Sequence, residues 1–408
     1  MWSKGWWLGV VAAWGWMVMA PGSVLGSSGF SLYEAGARSS GLAGAVVARA
    51  DDLSAIFYNP AGLVQLPGSQ VMGGFSTILP RADIVTQVGA SDTLTKLETG
   101  PIIVPHLFAS HQLAERLWLG LGINSPFGLG IKYPDNWPGD VDVIKANLQT
   151  VNINPTAAVK ITDYLSAGGG LDIMYFNFNE QRVLPLPFIG PQTLNLDGHS
   201  WGLGFNFGLL LKPLDYLSIG ISYRSQVRQQ ITTPSHFQPY NILDASAQGS
   251  IILPDIIFTG IMVRPLEKLS LEAGIVYTRW SLFKIFDVHF DNALGTLSDR
   301  EDWHDTWRGQ FGVEYRALSW LDLRAGYALE DEPMPDKFAD YLVPSPNLRH
   351  NFCLGIGFRW QSMTMDLAYT LVYMPDHTVN DSLSPGVLPS TFENRVSHVI
   401  VVSMGYKF

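Results

Sequence analysis

Strict alternation of apolar residues with small or polar residues recurs along most of this chain and limits the folds that it can adopt. In the stretch LDLRAGYAL, Leu321 and Leu323 alternate with Asp322 and Arg324. The stretches FCLGIGFRW and SWGLGFNFGLLL repeat the pattern. A period of two places alternate side chains on opposite faces of a strand, whereas a helix needs a period near 3.6. The sequence therefore predicts an all-β protein.

Composition and aromatic residues favour a membrane barrel over a soluble sandwich. The strands of a sandwich would also alternate apolar and polar residues. Apolar residues make up 47% of the chain and charged residues only 15%, well below the usual quarter. The face opposite the apolar one is mostly Gly, Ser, Asn and charged residues, which suits a polar lumen. Aromatic residues stand near strand ends, where an interfacial girdle requires them: Trp201, Tyr223, Tyr277, Trp280, Trp307, Tyr315, Tyr327, Trp360, Tyr369 and Tyr406. We therefore expect a transmembrane antiparallel β-barrel.

The joints between the predicted strands are short and long in turn. We place about fourteen strands near 68–79, 102–113, 116–125, 147–161, 164–182, 193–212, 215–230, 246–264, 267–284, 300–317, 319–330, 347–361, 363–374 and 393–408. Tight joints alternate with long ones at about 80–101, 126–146, 183–192, 231–245, 285–299, 331–346 and 375–392. Short turns on one side and long loops on the other are typical of outer-membrane barrels, with the short side periplasmic.

The N-terminus is predicted to be a secretory signal peptide over residues 1–27. Lys4 supplies a positive charge, an apolar run extends from Gly5 to Met19, and small residues follow near Gly26. The alternative, a membrane anchor, is disfavoured because the run is short for a span. We assign residues 28–67 to a small N-terminal segment and residues 68–408 to the barrel.

The stretch DDLSAIFYNPAGL, from Asp51 to Leu63, has helical rather than strand spacing. Asp51 or Asp52 can cap a short helix, and Pro60 is expected to end it. Fourteen strands enclose a lumen wider than wall side chains would fill, so this segment is predicted to form part of a plug inside it. Asn59 could then bond to the wall. The alternative is that Asn-Pro-Ala-Gly forms only a turn.

The chain ends in VSMGYKF, with Tyr406 and Phe408 on the apolar face of the last strand. A terminal aromatic residue on such a strand resembles the signal that the barrel assembly machinery recognises. The alternative is a strand that merely ends in Phe.

Charge, cysteine content and motifs exclude several classes of function. The net charge of −10 argues against nucleic-acid binding, which requires a basic face. Cys353 is the only cysteine, so no metal site can be built on a cysteine cluster, and no metal or cofactor is expected. The sequence shows no nucleophile elbow or other recognisable catalytic motif, so we do not expect an enzyme.

Three stretches together resemble the FadL/TodX family of outer-membrane transporters of hydrophobic compounds. The first is GFSLYEAGARSSGLAGAVVARADDLSAIFYNPAGL. The second, INSPFGLGIKYPDNW at Ile123–Trp137, is similar to the family's third strand and the loop after it. The third is WHDTWRGQFGVEY followed by LDLRAGYALEDEPMP, at Trp303–Tyr315 and Leu321–Pro335. The likeness extends over essentially the whole mature chain.

The resemblance implies a fourteen-stranded barrel in the bacterial outer membrane, closed by an N-terminal hatch. It places Asn59, Pro60 and Ala61 near a kink in the third strand, where the wall opens sideways. The implied function is passive uptake of long-chain fatty acids or similar hydrophobic compounds, which leave laterally into the membrane, with outer-membrane lipid and lipopolysaccharide as surroundings and a monomer as the working unit. Uptake of monoaromatic hydrocarbons is one alternative, and a general diffusion porin is a weaker one.

Apolar residues in the loop after the third strand could line an entrance groove for such a cargo. They are Phe127, Leu129, Tyr133 and Trp137, with Phe188 and Ile189 from another loop. Ordinary loop packing would explain the same residues.

A fatty acid would need a cation or several donors for its carboxylate. The resemblance places His304 and Asn177 at positions that are basic in fatty-acid transporters of the family, and both are departures. Other candidates for ligand contact in the lumen are Arg182, Arg308, Arg324 and Arg359. Each Arg could instead pair across strands with inward acids such as Asp322, Glu314, Glu330 and Asp366. The supply of inward Arg residues favours a fatty acid as cargo.

Overall fold

The structure, a computed structural model, describes residues 29–187, 189–343 and 348–408. The predicted signal peptide and Phe188 lie outside the described residues. Short helices occur at Ala37–Gly41 and Ala55–Tyr58, with 3₁₀ turns at Pro60–Gln65, Asn241–Leu243, Trp280–Leu282 and Asp336–Phe338. Within the described ranges, no helix has both the length and the apolar character needed to cross a membrane.

The described residues form twenty-one strands. They are β1 (Ser69–Val88), β2 (Ser91–Lys96), β3 (Ile102–Ala114), β4 (Leu117–Asn124), β5 (Gly128–Lys132), β6 (Lys145–Lys160), β7 (Leu165–Leu186), β8 (Gly190–Leu214), β9 (Leu217–Arg224), β10 (Val227–Gln238), β11 (Ala245–Leu253), β12 (Ile256–Leu266), β13 (Leu269–Thr278), β14 (Ile285–Phe290), β15 (Thr296–Arg300), β16 (Thr306–Leu318), β17 (Leu321–Glu330), β18 (Arg349–Trp360), β19 (Met363–Tyr373), β20 (His377–Val379) and β21 (Ser390–Lys407).

These strands close into a 14-strand antiparallel barrel, as the sequence predicts. Three wall strands are interrupted and consist of β4 with β5, β9 with β10, and β11 with β12. The short strands β2, β14, β15 and β20 extend the loops. The barrel closes where β1 pairs with β21 along most of its length, from Gln70 opposite Lys407 to Thr86 opposite Ser390.

The predicted alternation sets which side chains face the membrane. On β17 and β18, Leu323 and Leu354 are 43% and 62% exposed, whereas Asp322 and Arg324 are buried in the interior. Most of the predicted girdle residues lie on the outer face, but Trp280 is fully buried. The prediction for Trp280 is wrong because β13 ends at Thr278 and the chain then makes a 3₁₀ turn that carries the indole inward.

Short turns at one end and long connections at the other agree with the predicted asymmetry. Only Asp215–Tyr216 separates β8 from β9, and only Gln361–Ser362 separates β18 from β19. The expected loop at 183–192 is wrong, because β7 and β8 continue as a paired ribbon to Leu186 and Gly190. We call the two ends of the barrel the turn side and the loop side.

Residues 29–67, called the hatch segment here, pack against the inward faces of the wall strands and are almost entirely buried. The carboxylate of Asp52 accepts a hydrogen bond from the backbone N–H of Ser54 just before helix Ala55–Tyr58. The α-helix ends at Tyr58 and Asn59 is extended, so the predicted stop at Pro60 is confirmed. Pro60 then begins a separate 3₁₀ helix over Pro60–Gln65, because Pro lacks an N–H and has φ preset for the first helical position.

Candidate transport site

The wall is interrupted beside the third wall strand. β3 pairs with β4 only from Leu107 opposite Ile123 toward the turn side, and within the described chain β5 pairs with β6 alone. The upper part of β3, from Ile102 to His106, therefore has β1 but no second neighbour in the sheet. Pro105 and Pro126 flank this opening, where residues that cannot donate a backbone hydrogen bond are best tolerated. We call it the wall break.

The beginning of the hatch segment covers the wall break from inside. Ser31 bridges Phe127 in antiparallel fashion. The N–H of Leu32 donates to the carbonyl of Pro126 (2.8 Å), and the N–H of Gly128 donates to the carbonyl of Phe30 (2.9 Å). The hatch segment thus satisfies backbone groups that the broken strand leaves without a sheet partner.

Phe30 is held by a cluster of aromatic rings rather than by charges. Its ring centroid lies 4.6 Å from that of Trp280, 5.6 Å from Trp303, 6.0 Å from Phe283 and 6.4 Å from Phe127. Edge-to-face rings at such distances attract one another by about 0.5–1.5 kcal/mol per pair beyond burial. The segment that covers the wall break is therefore anchored by apolar contacts in addition to its backbone hydrogen bonds.

Asn59, Pro60 and Ala61 lie away from the wall break, on β7 and β8. The side-chain N–H groups of Asn59 donate to the carbonyls of Leu209 (3.0 Å) and Val47 (2.9 Å). Ser166 donates to the carbonyl of Ala61 (3.1 Å). The placement implied for these three residues, beside the kink of the third strand, is therefore corrected, since Phe30–Leu32 occupies that position.

Buried ion pairs fix the lower part of the hatch segment. Glu314 on β16 accepts from Arg38 (3.0 Å) and Arg49 (2.6 Å) of the hatch segment and from Arg324 on β17 (2.7 Å). Arg49 also pairs with Glu272. Breaking a buried pair of this kind costs about 3–5 kcal/mol, because it leaves an uncompensated charge. The lower hatch segment is thus held by buried ion pairs, whereas Phe30 is held by ring contacts and backbone hydrogen bonds.

Three groups of loop residues close the loop side, and we call residues 133–144, 331–343 and 374–389 the roof. Tyr133 stacks on Trp137 at 4.1 Å and donates to the carbonyl of Tyr341 (3.1 Å). Phe127, Leu129, Tyr133 and Trp137 are all at most 4% exposed. They form no open groove on the surface, and Ile189 is half-buried. The expected groove is wrong in this structure because the loops pack on one another.

An apolar cavity of about 50 Å³, the roof cavity, lies between the roof and Phe30. Its apolar lining consists of Phe30, Leu129, Val143, Leu148, Phe178, Ile251, Phe283, Phe286, Leu342 and Pro385. Its charged lining consists of Asp142, Glu180, Arg182, Asp299, Glu301 and Asp340. Apolar walls with a few polar groups are typical of sites for small molecules, but such sites measure about 300–1,000 Å³, so the roof must open further to admit a ligand.

The carboxylates of the roof cavity come from separate loops and strands. Asp142 accepts from the N–H of Tyr341 (2.8 Å), and Glu301 accepts from the indole of Trp303 (2.9 Å). Burial raises the pKa of Asp142 and of Glu301, with Asp340 adding to both shifts, and burial raises the pKa of Asp340 to about 7. Ionisation of these three carboxyl groups is therefore less favourable in the cavity than in water.

The four predicted Arg residues are divided among three locations. Arg182 lines the roof cavity and pairs with Asp299 (2.8 Å) and Glu180 (3.3 Å). Arg308 pairs with Glu330 (2.9 Å), and its guanidinium lies 4.9 Å from the ring centre of Tyr33 in the hatch segment.

Arg324 and Arg359 lie on the turn side. Arg324 pairs with Glu314 (2.7 Å) and Asp366 (2.6 Å), and Arg359 pairs with Asp322. Both line a polar cavity of about 280 Å³ between the hatch segment and the wall. The alternative prediction, cross-strand ion pairs, is therefore confirmed for all three wall residues Arg308, Arg324 and Arg359.

His304 and Asn177 both lie outside the barrel interior, although the resemblance places them at positions that are basic in fatty-acid transporters. His304 is exposed in the connection before β16, 3.6 Å from Asp331. Asn177 belongs to the face of β7 opposite that of the buried Phe176 and Phe178. The expectation that these positions face a ligand is wrong, because β16 begins only at Thr306 and because the alternation along β7 turns Asn177 outward.

Sequence reasoning did not find Phe30 or the acids of the roof cavity. Asp142, Asp299, Glu301 and Asp340 stand in loop-side segments that read as ordinary polar connections. One sequence feature could have indicated the aromatic cluster around Phe30. It is the high frequency of aromatic residues between 280 and 303, where Trp280, Phe283 and Trp303 occur.

Comparisons with known proteins agree with this architecture. A family model described as "Outer membrane protein transport protein (OMPP1/FadL/TodX)" matches residues 19–408. The long-chain fatty acid transport protein of Escherichia coli O6:H1 is 25% identical over 364 residues, which cover 78% of this chain and 80% of that protein.

Two solved structures share the fold. The crystal structure of a Pseudomonas aeruginosa FadL homologue has a TM-score of 0.81 at 18% identity, covering 93% of this chain and 99% of that one. The Pseudomonas putida toluene transporter TodX has a TM-score of 0.72 at 18% identity, covering 88% and 94%. Because the family model spans nearly the whole sequence, the chain belongs to the OMPP1/FadL/TodX family of outer membrane transport proteins.

Proposed function

We propose that this protein carries hydrophobic compounds of the fatty-acid or hydrocarbon type across the outer membrane by passive diffusion. Cargo enters between the roof loops, occupies the roof cavity and leaves sideways through the wall break. The observation that carries the proposal is the interrupted pairing beside β3, covered from inside by Phe30–Leu32.

The route suits a cargo that avoids water. Apolar side chains line the roof cavity, and Phe30 forms part of its wall, so the cargo contacts the segment that covers the exit. A compound that passes from this cavity into the membrane never exposes its full apolar surface to water. Outer-membrane lipid receives the cargo in this scheme, and no catalytic step is needed.

The exit is closed in this structure. A cavity of only about 10 Å³ separates Leu32 and Glu34 from Val104–His106 and Asn124–Ser125. This volume is near the minimum for one water molecule. Transport by this route therefore requires Phe30–Leu32 to move, because these residues cover the wall break from inside.

A disulfide across the wall break tests the proposal. Ser31→Cys and Phe127→Cys, in a Cys353→Ser background, place thiols on bridged residues whose Cα atoms are about 4.5–5.5 Å apart in antiparallel sheets. We expect uptake of labelled dodecanol into cells lacking their own transporter to fall at least tenfold when the disulfide is oxidised and to recover on reduction.

The matched control ties two wall strands that already pair, with Ala325→Cys and Leu354→Cys on β17 and β18. Oxidation of this pair should leave uptake unchanged. Equal uptake by the oxidised and reduced Ser31–Phe127 pair would contradict an exit at the wall break. Large stable conductance steps from the unmodified protein in planar bilayers would instead favour a general diffusion porin.

A further inference from the structure

We propose that the roof cavity favours hydrophobic compounds with a cationic or neutral head over those with a carboxylate. This inference deepens the proposed function and rests on it. It concerns the charge of the cargo, which neither the fold nor the apolar lining determines.

The charges that line the roof cavity are unequal in number. Asp142, Glu180, Asp299, Glu301 and Asp340 are acidic, and Arg182 is the one basic residue among the described residues of the lining. With every group ionised, five negative charges and one positive charge leave a net charge of −4. If Asp142, Glu301 and Asp340 each hold a proton, two negative charges and one positive charge still leave −1. The cavity is therefore negative in each of these states.

The single cation is already engaged. Arg182 is 6% exposed, and its Nη1 lies 2.8 Å from Asp299 Oδ2 while its Nε lies 3.3 Å from Glu180 Oε1. A cargo carboxylate would have to displace one of these partners and leave it as a buried, uncompensated anion. That exchange gains no net ion pair and adds a like charge, which costs several kcal/mol at close range.

A protonated amine meets the opposite situation. Its N–H groups can donate to carboxylate oxygens of Glu301, Asp340 or Asp142 that face the cavity, and its charge offsets the local excess. Relief of the repulsion among these acids adds to the gain, since mutual repulsion contributes to their raised pKa values. A neutral alcohol can still donate a hydrogen bond, and it has no negative charge for the acidic residues to repel.

The hydrocarbon body of the cargo would lie against the apolar end of the cavity, which must widen to admit it because its present volume is only about 50 Å³. Phe178 and Phe286 contact each other at 5.7 Å between ring centres, and Phe283 lies 6.0 Å from Phe30. A hydrocarbon body placed against these rings points its head toward the acids of the roof. Body and head are thus matched to separate parts of one cavity.

Three compounds with the same chain and different heads test the inference. We would measure equilibrium binding of radiolabelled dodecylamine, dodecanol and dodecanoate to the purified full-length mature protein in dodecyl maltoside at pH 7.5. We expect dodecylamine and dodecanol each to bind at least about tenfold more tightly than dodecanoate. Equal or tighter binding of dodecanoate would overturn the inference.

Conservative variants test whether residues of the roof cavity cause the preference for the head group. Asp299→Asn and Glu180→Gln keep the shape and release Arg182, so dodecanoate binding should strengthen about tenfold and dodecylamine binding should weaken. Asp135→Asn, the same change at an exposed roof residue, should alter neither. An identical response of all three variants would show that the preference arises elsewhere and would overturn the assignment to this cavity.

Failure of this inference can be separated from failure of the proposed function by uptake in cells. Uptake of dodecanol blocked by the Ser31–Phe127 disulfide, together with equal uptake of dodecanoate, would retain the transport route and remove the charge selection. Loss of uptake for every compound, with a heat-modifiable folded barrel in the membrane, would remove the proposed function itself.

Discussion

The side-chain amide of Asn59 donates a 3.0 Å hydrogen bond to the backbone carbonyl of Leu209, which joins the hatch segment to a central wall strand. The same side chain donates to Val47 and accepts from the N–H of Ala61, so it uses its donors on two carbonyls at once. One residue therefore connects two turns of the hatch segment to the barrel.

Replacement of Asn59 by Ala should destabilise this attachment. The carbonyls of Val47 and Leu209 each lose a hydrogen-bond donor, so we expect the free energy of unfolding to fall by about 1–3 kcal/mol. Urea unfolding followed by heat-modified mobility measures the change. Gln87→Ala, at an exposed position on β1, should stay within about 0.5 kcal/mol of the original protein. Equal stability of the two variants would count against the attachment.

A methyl group at Gly208 should displace the hatch segment. A Cβ built there would overlap Asn59 and lie 2.9 Å from Pro60 Cδ, so Gly208→Ala forces the segment off β8. We expect increased ion conductance in planar bilayers with the barrel still folded. Gly309→Ala is the matched control, since a Cβ there meets no atom within 4 Å. Unchanged conductance in Gly208→Ala would show that the segment adjusts without opening.

The roof should be more stable at pH 5 than at pH 8. The pKa of Asp340 is raised to about 7 in the folded protein from an ordinary value of 3.8, mainly by burial. A group with a raised folded pKa stabilises fully below its unfolded value and loses that contribution as the pH rises through the folded value. Hydrogen exchange of residues 331–343, corrected for intrinsic rates, should therefore speed up between pH 5 and pH 8.

Asp340→Asn provides the control for this pH effect. The amide oxygen can still accept from the N–H groups of Leu342 and Val343, which bond to Asp340 at 2.9 and 3.0 Å. The pH dependence of exchange should shrink in this variant. An undiminished dependence would assign the effect to Asp142 or Glu301 instead.

Deletion of Phe408 should reduce the amount of assembled barrel. Its ring packs edge-to-face on Tyr406 at 4.9 Å and is 63% exposed at the turn side, where the assembly machinery could reach it. We expect several-fold less heat-modifiable protein in the outer membrane, with binding of dodecanol per folded barrel unchanged. Deletion with normal assembly would leave the terminal Phe as an ordinary strand end.

The barrel could be predicted from the sequence because alternation is a local property. Neighbours such as Asp322 and Leu323 indicate which face of their own strand points inward. No distant residue is needed for this prediction. The length of β7 and β8 beyond the membrane could not be read in this way. Their outer parts form a paired ribbon, which depends on register between two strands.

The wall break and the roof cavity depend on contacts between distant parts of the chain. Pro126 interrupts a strand, but whether the hatch segment fills that interruption depends on where Phe30 is carried by the fold. Asp142, Asp299 and Asp340 are far apart in sequence and meet only when the roof closes. The sequence correctly predicted that Arg308, Arg324 and Arg359 point inward, and the structure pairs each of them with an acidic residue of the wall.

The ion pairs that Arg38 and Arg49 make with Glu314 have a consequence for the cell. They tie the hatch segment to the wall on the turn side, below the wall break that Phe30–Leu32 covers. If cargo leaves through the wall break as proposed, a polar antibiotic or a salt ion that reaches the interior still meets the hatch segment on the turn side. Such a cell could take up hydrophobic nutrients and still keep the outer membrane closed to polar compounds.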